Sequence, residues 1–529
     1  MDLGRFAYGG QGAPSMARPR LPPFRGNGHW SWLDSDALAE VCAHLDDRQL
    51  ARLSNVDRRT LELARAAIRR HLGLSASQWD VFDAVLHKRE SVLLMGGPGS
   101  GKSFLLKILQ ERARAPLTTA STGAAAERIN ARTIHSTLGL GLGDRSAKEI
   151  AKRLRGGSGA RRFGRGAPPS TPVLDGIVNC RTLIVDEVSM LTAKLLRLAE
   201  QVLVELRGRL PQLVVSGDPL QLRAVAAEAE GSFYDAEVVQ RLRPYVLTES
   251  FRQGENSRFL HILNAARLGK ARLDDERWLR ANFCPSIAKN APKLFCRLAE
   301  VDGVNEQELH ALNTAISVYT PKTTGTLPPH IRPYHFNTLR IKVGARVMLT
   351  RNLHEFADKG LHNGSCGVVL GCENDAVSVV FDNGTHAVIA RYTQECEEGG
   401  KVVATLAFVP LILAWAVTVH RAQGATLDSM YVDLRGCFEP GHAYVALSRV
   451  REASHAEVAN LTLRELNHIN KPALAFYNQC VARCERRAER RAERARMHEL
   501  ACHDVDERDP ALHAMLARIE AEGGHCVEC

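Results

Sequence analysis

Aromatic residues are scarce, at 6% of a 529-residue chain, so a partner gripped mainly by ring stacking is disfavoured from the outset. No stretch approaches the roughly eighteen consecutive apolar residues that a membrane-crossing helix needs. The first residues also lack a hydrophobic signal core. The 13 cysteines are odd in number and follow no repeated spacing, which excludes a disulfide framework. Cys42, Cys180, Cys296 and Cys366 therefore read as reduced thiols of a soluble protein in the nucleus or cytoplasm. Hydrophobic residues reach 45%, enough for true cores, and the net charge of +10 suits a polyanionic partner.

The most informative stretch is SVLLMGGPGSGKSFLL, residues 91–106. Four apolar residues, 92–95, read as a buried strand. Gly96-Gly97-Pro98-Gly99-Ser100-Gly101-Lys102-Ser103 then fills every fixed position of a G-x-x-x-x-G-K-S/T phosphate loop, and a helix follows. Small residues let the backbone curl until its N–H groups and the next helix N-terminus converge on one anion. Lys102 is expected to reach the terminal phosphates and Ser103 to ligate magnesium. Upstream, Gln78 opens a helix from which its amide can serve the N6/N7 edge of adenine.

Two further strands end in chemistry-bearing residues. Residues 182–185 are continuously apolar and run into Asp186-Glu187, as expected of a central strand in a parallel sheet with its working groups at the carboxyl end. Asp186 is assigned to magnesium, and Glu187 to orienting or deprotonating the attacking water. Residues 212–216 lead to Gly217-Asp218-Pro219-Leu220-Gln221, where Gln221 faces the terminal phosphate or the lytic water. Arg252, in Phe251-Arg252-Gln253, is a candidate for neutralising charge on the transferring phosphoryl group.

Residues 1–29 are rich in Gly, Pro and Arg and read as a flexible basic arm, with a mitochondrial transit segment as the alternative. Residues 30–70 turn to helical periodicity, and WLDSDALAEVCAHLDDRQLARLSNVDRRTLELA resembles an F-box, the module that docks cullin-ligase adaptors. That motif's proline is Asp34 here, and its later Cys and Trp positions hold Asp57 and Thr60; a small helical cap is the other reading. Residues 141–172, rich in Gly, Arg and Pro, read as a basic surface insertion. Residues 377–381 and 386–389 flank Asp382-Asn383-Gly384, a hairpin signal. From about residue 481 the Arg/Glu alternation reads as a solvated helical tail. Its Cys502-His503 and His525-Cys526-Val527-Glu528-Cys529 are a candidate zinc cluster.

The succession of blocks resembles the PIF-one-type DNA helicases of superfamily one, relatives of RecD and Dda. Besides the segments above, IKVGARVML (341–349), LHNGSCGVV (361–369), PLILAWAVTVHRAQG (410–424) and AYVALSR (443–449) match that family in its order. The resemblance covers about residues 74–477. It implies an α/β fold with two RecA-like motor domains, 74–250 and 251–480, and a small SH3-like β-barrel insertion near 340–408. It further implies ATP and magnesium in the cleft between the domains, Lys102, Asp186, Glu187 and Gln221 acting from the first, and Arg252 and Arg449 as arginine fingers. Gln423 would link nucleotide to DNA, and Thr122, His135, Thr418 and His420 would touch the strand. The expected activity is 5′-to-3′ movement of a monomeric motor on single-stranded or forked DNA. Two other readings stay open at this point: a substrate adaptor led by residues 30–70, and a nucleic-acid-stimulated NTPase that remodels without unwinding. The family's signature before the third strand is shortened here to LRGRLPQ (206–212), its double proline is Arg223-Ala224, and its Lys-Ser is Arg421-Ala422.

Overall fold

A computed structural model describes residues 65–502, except 67, 142, 144, 157–171, 250, 252–256, 288–290, 327–337, 352, 362 and 399–400. The basic arm, nearly all of the F-box-like segment, the Arg-rich centre of the 141–172 insertion, Arg252 and the terminal Cys/His cluster beyond Cys502 lie outside the described residues. The chain divides into two compact units, Met1–Ser75 and Ala76–Cys529. In the first, the described residues are the end of a helix closed by a turn in which Leu74 N donates to Arg69 O.

The second unit holds both parallel sheets. Its first half is a parallel sheet of β1 (Val92–Gly96), β2 (Pro116–Ala120), β3 (Arg132–Thr133), β4 (Thr182–Asp186), β5 (Gln212–Gly217) and β6 (Arg243–Leu247), in the order β3-β2-β4-β5-β1-β6. β1 and β4 are buried along their whole length, as an apolar run covered on both faces must be. Each leucine sealed in this way contributes roughly 1.5–3 kcal/mol. The carboxyl ends of β1, β4 and β5 lie side by side in the sheet, so the phosphate loop, Asp186-Glu187 and Asp218 all emerge at one edge.

The second half begins with β7 (Lys293–Phe295). Antiparallel strands follow: β8 (Ile316–Tyr319), β9 (Lys322–Gly325), β10 (Leu339–Lys342), β11 (Arg346–Leu349), β12 (Cys366–Cys372), β13 (Ala376–Phe381), β14 (His386–Ala390), β15 (Tyr392–Glu398), β16 (Lys401–Phe408) and β17 (Leu411–Leu413). They form three sheets, β14-β13-β12-β11-β17, β15-β16-β9 and β10-β8. The hairpin expected around Asn383-Gly384 joins β13 to β14, with Gly384 at φ +81°. Among the described residues no pairing joins β14 to β17, and the expected SH3-like barrel is neither shown nor contradicted by these three sheets. Strands β18 (Ala416–Thr418), β19 (Met430–Asp433) and β20 (Ala456–Ala459) return to β7 as a second parallel sheet, β18-β7-β19-β20. The α/β class with two parallel sheets is as expected.

Two segments depart from the sequence reading. Residues 147–156 of the supposed surface insertion are a helix, Ala147–Gly156, whose Ile150 and Ala151 are sealed in the first core. A Ser146/Glu149 exchange of hydrogen bonds starts it, and the Arg-rich composition masked this apolar seam. The tail is one helix, Lys471–Cys502, which begins ten residues before the boundary placed at 481. Its Cys480 is buried in the first core with Phe476 and Tyr477 packed alongside. Arg487 lies 4.1 Å over the Tyr245 ring, and Arg483 donates to Leu242 O. The alternating charge is thus solvated on one side only, because arginine stems and rings cover β6.

Candidate nucleotide-binding cleft

The loop after β1 turns into the helix Lys102–Arg112 through Gly101, held at φ +79°. A Cβ there would sit 2.4 Å from Gln78 Nε2 and 3.1 Å from the Phe251 ring, so only glycine fits beneath these two side chains. The first helical turn carries no acidic residue, leaving its N–H groups and dipole for an anion. Lys102 Nζ donates to Gly96 O at 2.6 Å and Gly97 O at 2.9 Å. Burial pulls the Lys102 ammonium below its ordinary pKa, while Glu187, Asp218 and Asp186 act in the opposite direction.

Asp186 is fully buried at the end of β4. Its Oδ1 accepts from Glu187 N (2.9 Å) and Ser216 Oγ (3.0 Å), and its Oδ2 accepts from Ser103 Oγ (3.3 Å). Burial, and then the Glu187 charge, push its carboxyl above the ordinary range. Glu187 follows in the left-handed region at φ +53°, an uncommon conformation for a residue other than glycine, and lines the cleft. Burial works against its ionisation, but Arg128, 3.0 Å from Oε1, and Lys102 outweigh it and hold Glu187 below the usual value. Glu187 Oε2 has no hydrogen-bond partner among the described residues. A buried carboxyl and a serine hydroxyl in contact are hard oxygen donors short of a cation, which fits magnesium.

The raised Asp186 carboxyl carries a stability consequence. A group that binds its proton more tightly when folded supports folding below its unfolded pKa, near 3.8, and that support is lost as pH rises through the folded value. Asp186→Asn is therefore expected to melt about 1–3 °C above the parent at neutral pH in cation-free buffer. The advantage should shrink towards pH 4. Thermal melts across pH check this, and a lower melting temperature at every pH would contradict it.

Opposite the loop, Arg449, 1% exposed, lines a cleft of 690 Å³ together with Lys102, Glu187 and Gln221. Its Nε donates to Val445 O (2.7 Å), Nη1 to Ala425 O (3.1 Å) and Nη2 to Ser448 Oγ (2.7 Å). Gln423 Nε2 donates to Ser189 Oγ at 3.2 Å, across the two halves. The side-chain oxygens of Gln221 and Gln423 are buried with no partner among the described residues. Such atoms cost about 1–3 kcal/mol each and mark places where a ligand or water belongs.

The residues expected to touch a strand have separate partners. Thr122 Oγ1 accepts from Ala125 N (3.2 Å) and Thr418 Oγ1 from Arg421 N (3.4 Å), both as helix caps. His420 Nε2 lies 2.8 Å from Glu439 Oε2. His135 is half-buried, and burial lowers its pKa. The helix Gly123–Arg128, directly after Thr122, meets the turn that leads into β12: a Cβ on Gly123 would be 2.7 Å from Asn363 O. Residues that sequence reading missed are Arg128, Phe251, Arg267 and Tyr444. None stands in a pattern that announces a role, although Asp218, right after an apolar strand, was visible.

A family model described as an AAA domain matches residues 73–282. The chain is 32% identical over 401 residues to the human "ATP-dependent DNA helicase PIF1", covering 72% of this chain and 59% of that protein. The Pif1 helicase of Candida albicans covers 77% of this chain and 99% of its own at 27% identity, with a TM-score of 0.64. A Bacteroides Pif1 helicase "in complex with ADP-AlF3 and ssDNA" matches at 25% identity and TM-score 0.64, over 77% and 96% of the two chains. The chain thus spans about three fifths of the length of its human relative. The likeness in sequence and the likeness in fold point the same way: over about three quarters of its length this chain is similar to Pif1 helicases.

Proposed function

We propose that this protein is an ATP-dependent DNA helicase that moves 5′ to 3′ along a single strand as a monomer and opens duplexes ahead of it. One observation carries the reading: a single cleft receives Lys102 and Glu187 from one parallel-sheet domain and Arg449 from the other, with Asp186 buried behind Ser103, which it holds through Oδ2. The human relative bears the name of such an enzyme, and the Bacteroides relative was captured with a phosphoryl-transfer mimic and single-stranded DNA.

When a triphosphate enters, Lys102 exchanges the Gly96 and Gly97 carbonyls for phosphate oxygens, a swap between acceptors that needs no new charge in the site. Ser103 and Asp186 would hold magnesium, which supplies charge neutralisation at the phosphates. Glu187, ionised and with Oε2 free, orients the attacking water and accepts its proton. Gln221 reads the terminal phosphate, Gln78 and Phe251 flank the base, and Arg449 swings from its backbone acceptors onto developing charge when the halves close. Arg252, outside the described residues, is proposed as the second finger. Gln423, already bonded to Ser189, passes the nucleotide state to the strand near Thr122, His135, Thr418 and His420. Binding is mainly to phosphates, given so few aromatics, and the setting is the nucleus or cytoplasm, with the mitochondrion as the alternative.

Partial duplexes with 5′ or 3′ overhangs, on DNA and RNA tracks, test this directly. ATP-dependent displacement from the 5′-overhang DNA substrate is expected, with binding that falls steeply between about 50 and 200 mM salt. Strand-stimulated hydrolysis with no displacement from any substrate would favour the remodelling NTPase instead.

A further inference from the structure

Behind the phosphate loop lies a buried cluster that the catalytic reading does not use. Asp218, at the end of β5, is gripped by both arms of Arg267, which closes the helix Arg258–Arg267 in the second half: Nε to Oδ2 at 3.0 Å and Nη2 to Oδ1 at 2.8 Å. Tyr444 Oη donates to Oδ2 at 3.1 Å, and Leu220 N donates to Oδ1 at 3.1 Å. The guanidinium lies 4.5 Å from the centre of the Tyr477 ring. Asp218, Arg267 and Tyr444 are all buried. The loop that carries Asp218 also sends Leu222 into the core of the second half.

This cluster touches the catalytic cleft at two points. A Cβ on Gly97 would lie 3.3 Å from Tyr444 Oη and 3.9 Å from Arg267 Cδ, and Gly97 O is one of the two carbonyls that Lys102 holds. Tyr444 lies in the helix His442–Leu447, and Arg449 follows two residues after that helix ends. A short rigid element thus joins the floor of the phosphate loop to the guanidinium on the far wall.

Resting on the reading of this cleft as an ATP site, we propose that Asp218, Arg267 and Tyr444 form the pivot on which the two halves turn. Arg267 is the positioning residue that sets where the His442–Leu447 helix, and with it Arg449, stands against the phosphate loop. Separating a buried bidentate pair strands two charges away from water, so the halves open at the mouth of the cleft while this contact holds. Displacement of Gly97 on nucleotide binding is felt at Tyr444, and the helix carries it to Arg449. The fork is essential, because a lysine offers one point charge and leaves the rotation about Asp218 free.

A double-mutant cycle on the full chain tests the proposal through single-strand-stimulated ATP hydrolysis and the Kd of a fluorescent ATP analogue. Arg267→Lys is expected to lower kcat about tenfold or more while the Kd changes less than about threefold, as for a catalytic group displaced by a fraction of an ångström. In an Arg449→Ala background the same change should lower kcat less than about twofold, because no finger remains to misplace. An equal fall in both backgrounds, or no fall in the parent, overturns the pivot while leaving the ATP site intact. If Arg449→Ala itself turns over like the parent, the cleft reading fails and the pivot with it. Tyr444→Phe, which keeps the ring and loses one bond to Asp218, provides the same cycle should Arg267→Lys not fold. Its expected cost is about threefold in kcat in the parent and none in the Arg449→Ala background.

Discussion

Lys102→Ala is expected to reduce single-strand-stimulated ATP hydrolysis by at least about 10²–10³-fold, the scale seen when one preorganised donor is taken from a developing anion. The ammonium sits among three acids, Asp186, Glu187 and Asp218, each of which favours its charged form. Removing it takes away the cation aimed at the phosphates and leaves their approach opposed by those carboxylates. Nucleotide affinity should weaken as well, since Gly96 O and Gly97 O, now bonded to Nζ, turn back towards the loop. The fold should survive, because β1 and the helix Lys102–Arg112 are secured by apolar side chains. Phosphate release measured with and without single-stranded DNA decides the matter, and residual turnover within tenfold of the parent would remove Lys102 from the mechanism.

Arg449→Ala is expected to slow turnover by about 10³–10⁵-fold, the range for fingers supplied across an interface, with ATP still bound within a few-fold of the parent affinity. The two effects separate because Arg449 belongs to the opposite wall of the cleft and Lys102 to the loop itself. A modest fall in melting temperature should accompany the change, since the guanidinium ties together Val445 O, Ala425 O and Ser448 Oγ. Arg449→Lys keeps charge but not the fork and should recover only part of the rate. Single-turnover hydrolysis alongside nucleotide titration reads both quantities. Unchanged hydrolysis would leave Arg449 as a purely structural clamp, and the reading of the cleft as a site completed from both halves would fail with it.

The half of the site that could be read before any coordinates is the half written locally. Gly96 to Ser103 and Asp186-Glu187 are contiguous strings at the ends of apolar strands, and a strand end fixes where its next residues point. The same holds for the hairpin at Asn383-Gly384, where φ +81° at Gly384 is a property of two or three residues. Thr122 and Thr418 show the limit of that logic. Placed by resemblance on a DNA track, in this structure they cap helices, a role that their residue type equally suits.

What lay hidden was written across long separations. Arg267 and Asp218 are 49 residues apart and Tyr444 and Asp218 are 226 apart, and an arginine at a helix end looks like any solvated charge until a carboxylate is packed against it. The Ala147–Gly156 and Lys471–Cys502 helices were likewise classed by their charge, although Ile150 and Cys480 hold them on the first core. Chain-local chemistry made legible the strings proposed to bind phosphate and to polarise water, because loop curvature and strand ends depend on near neighbours. The meeting of two sheets chose the partner of each buried charge and the placing of Arg449 against Lys102, because desolvation and bidentate geometry exist only once distant segments have excluded water between them.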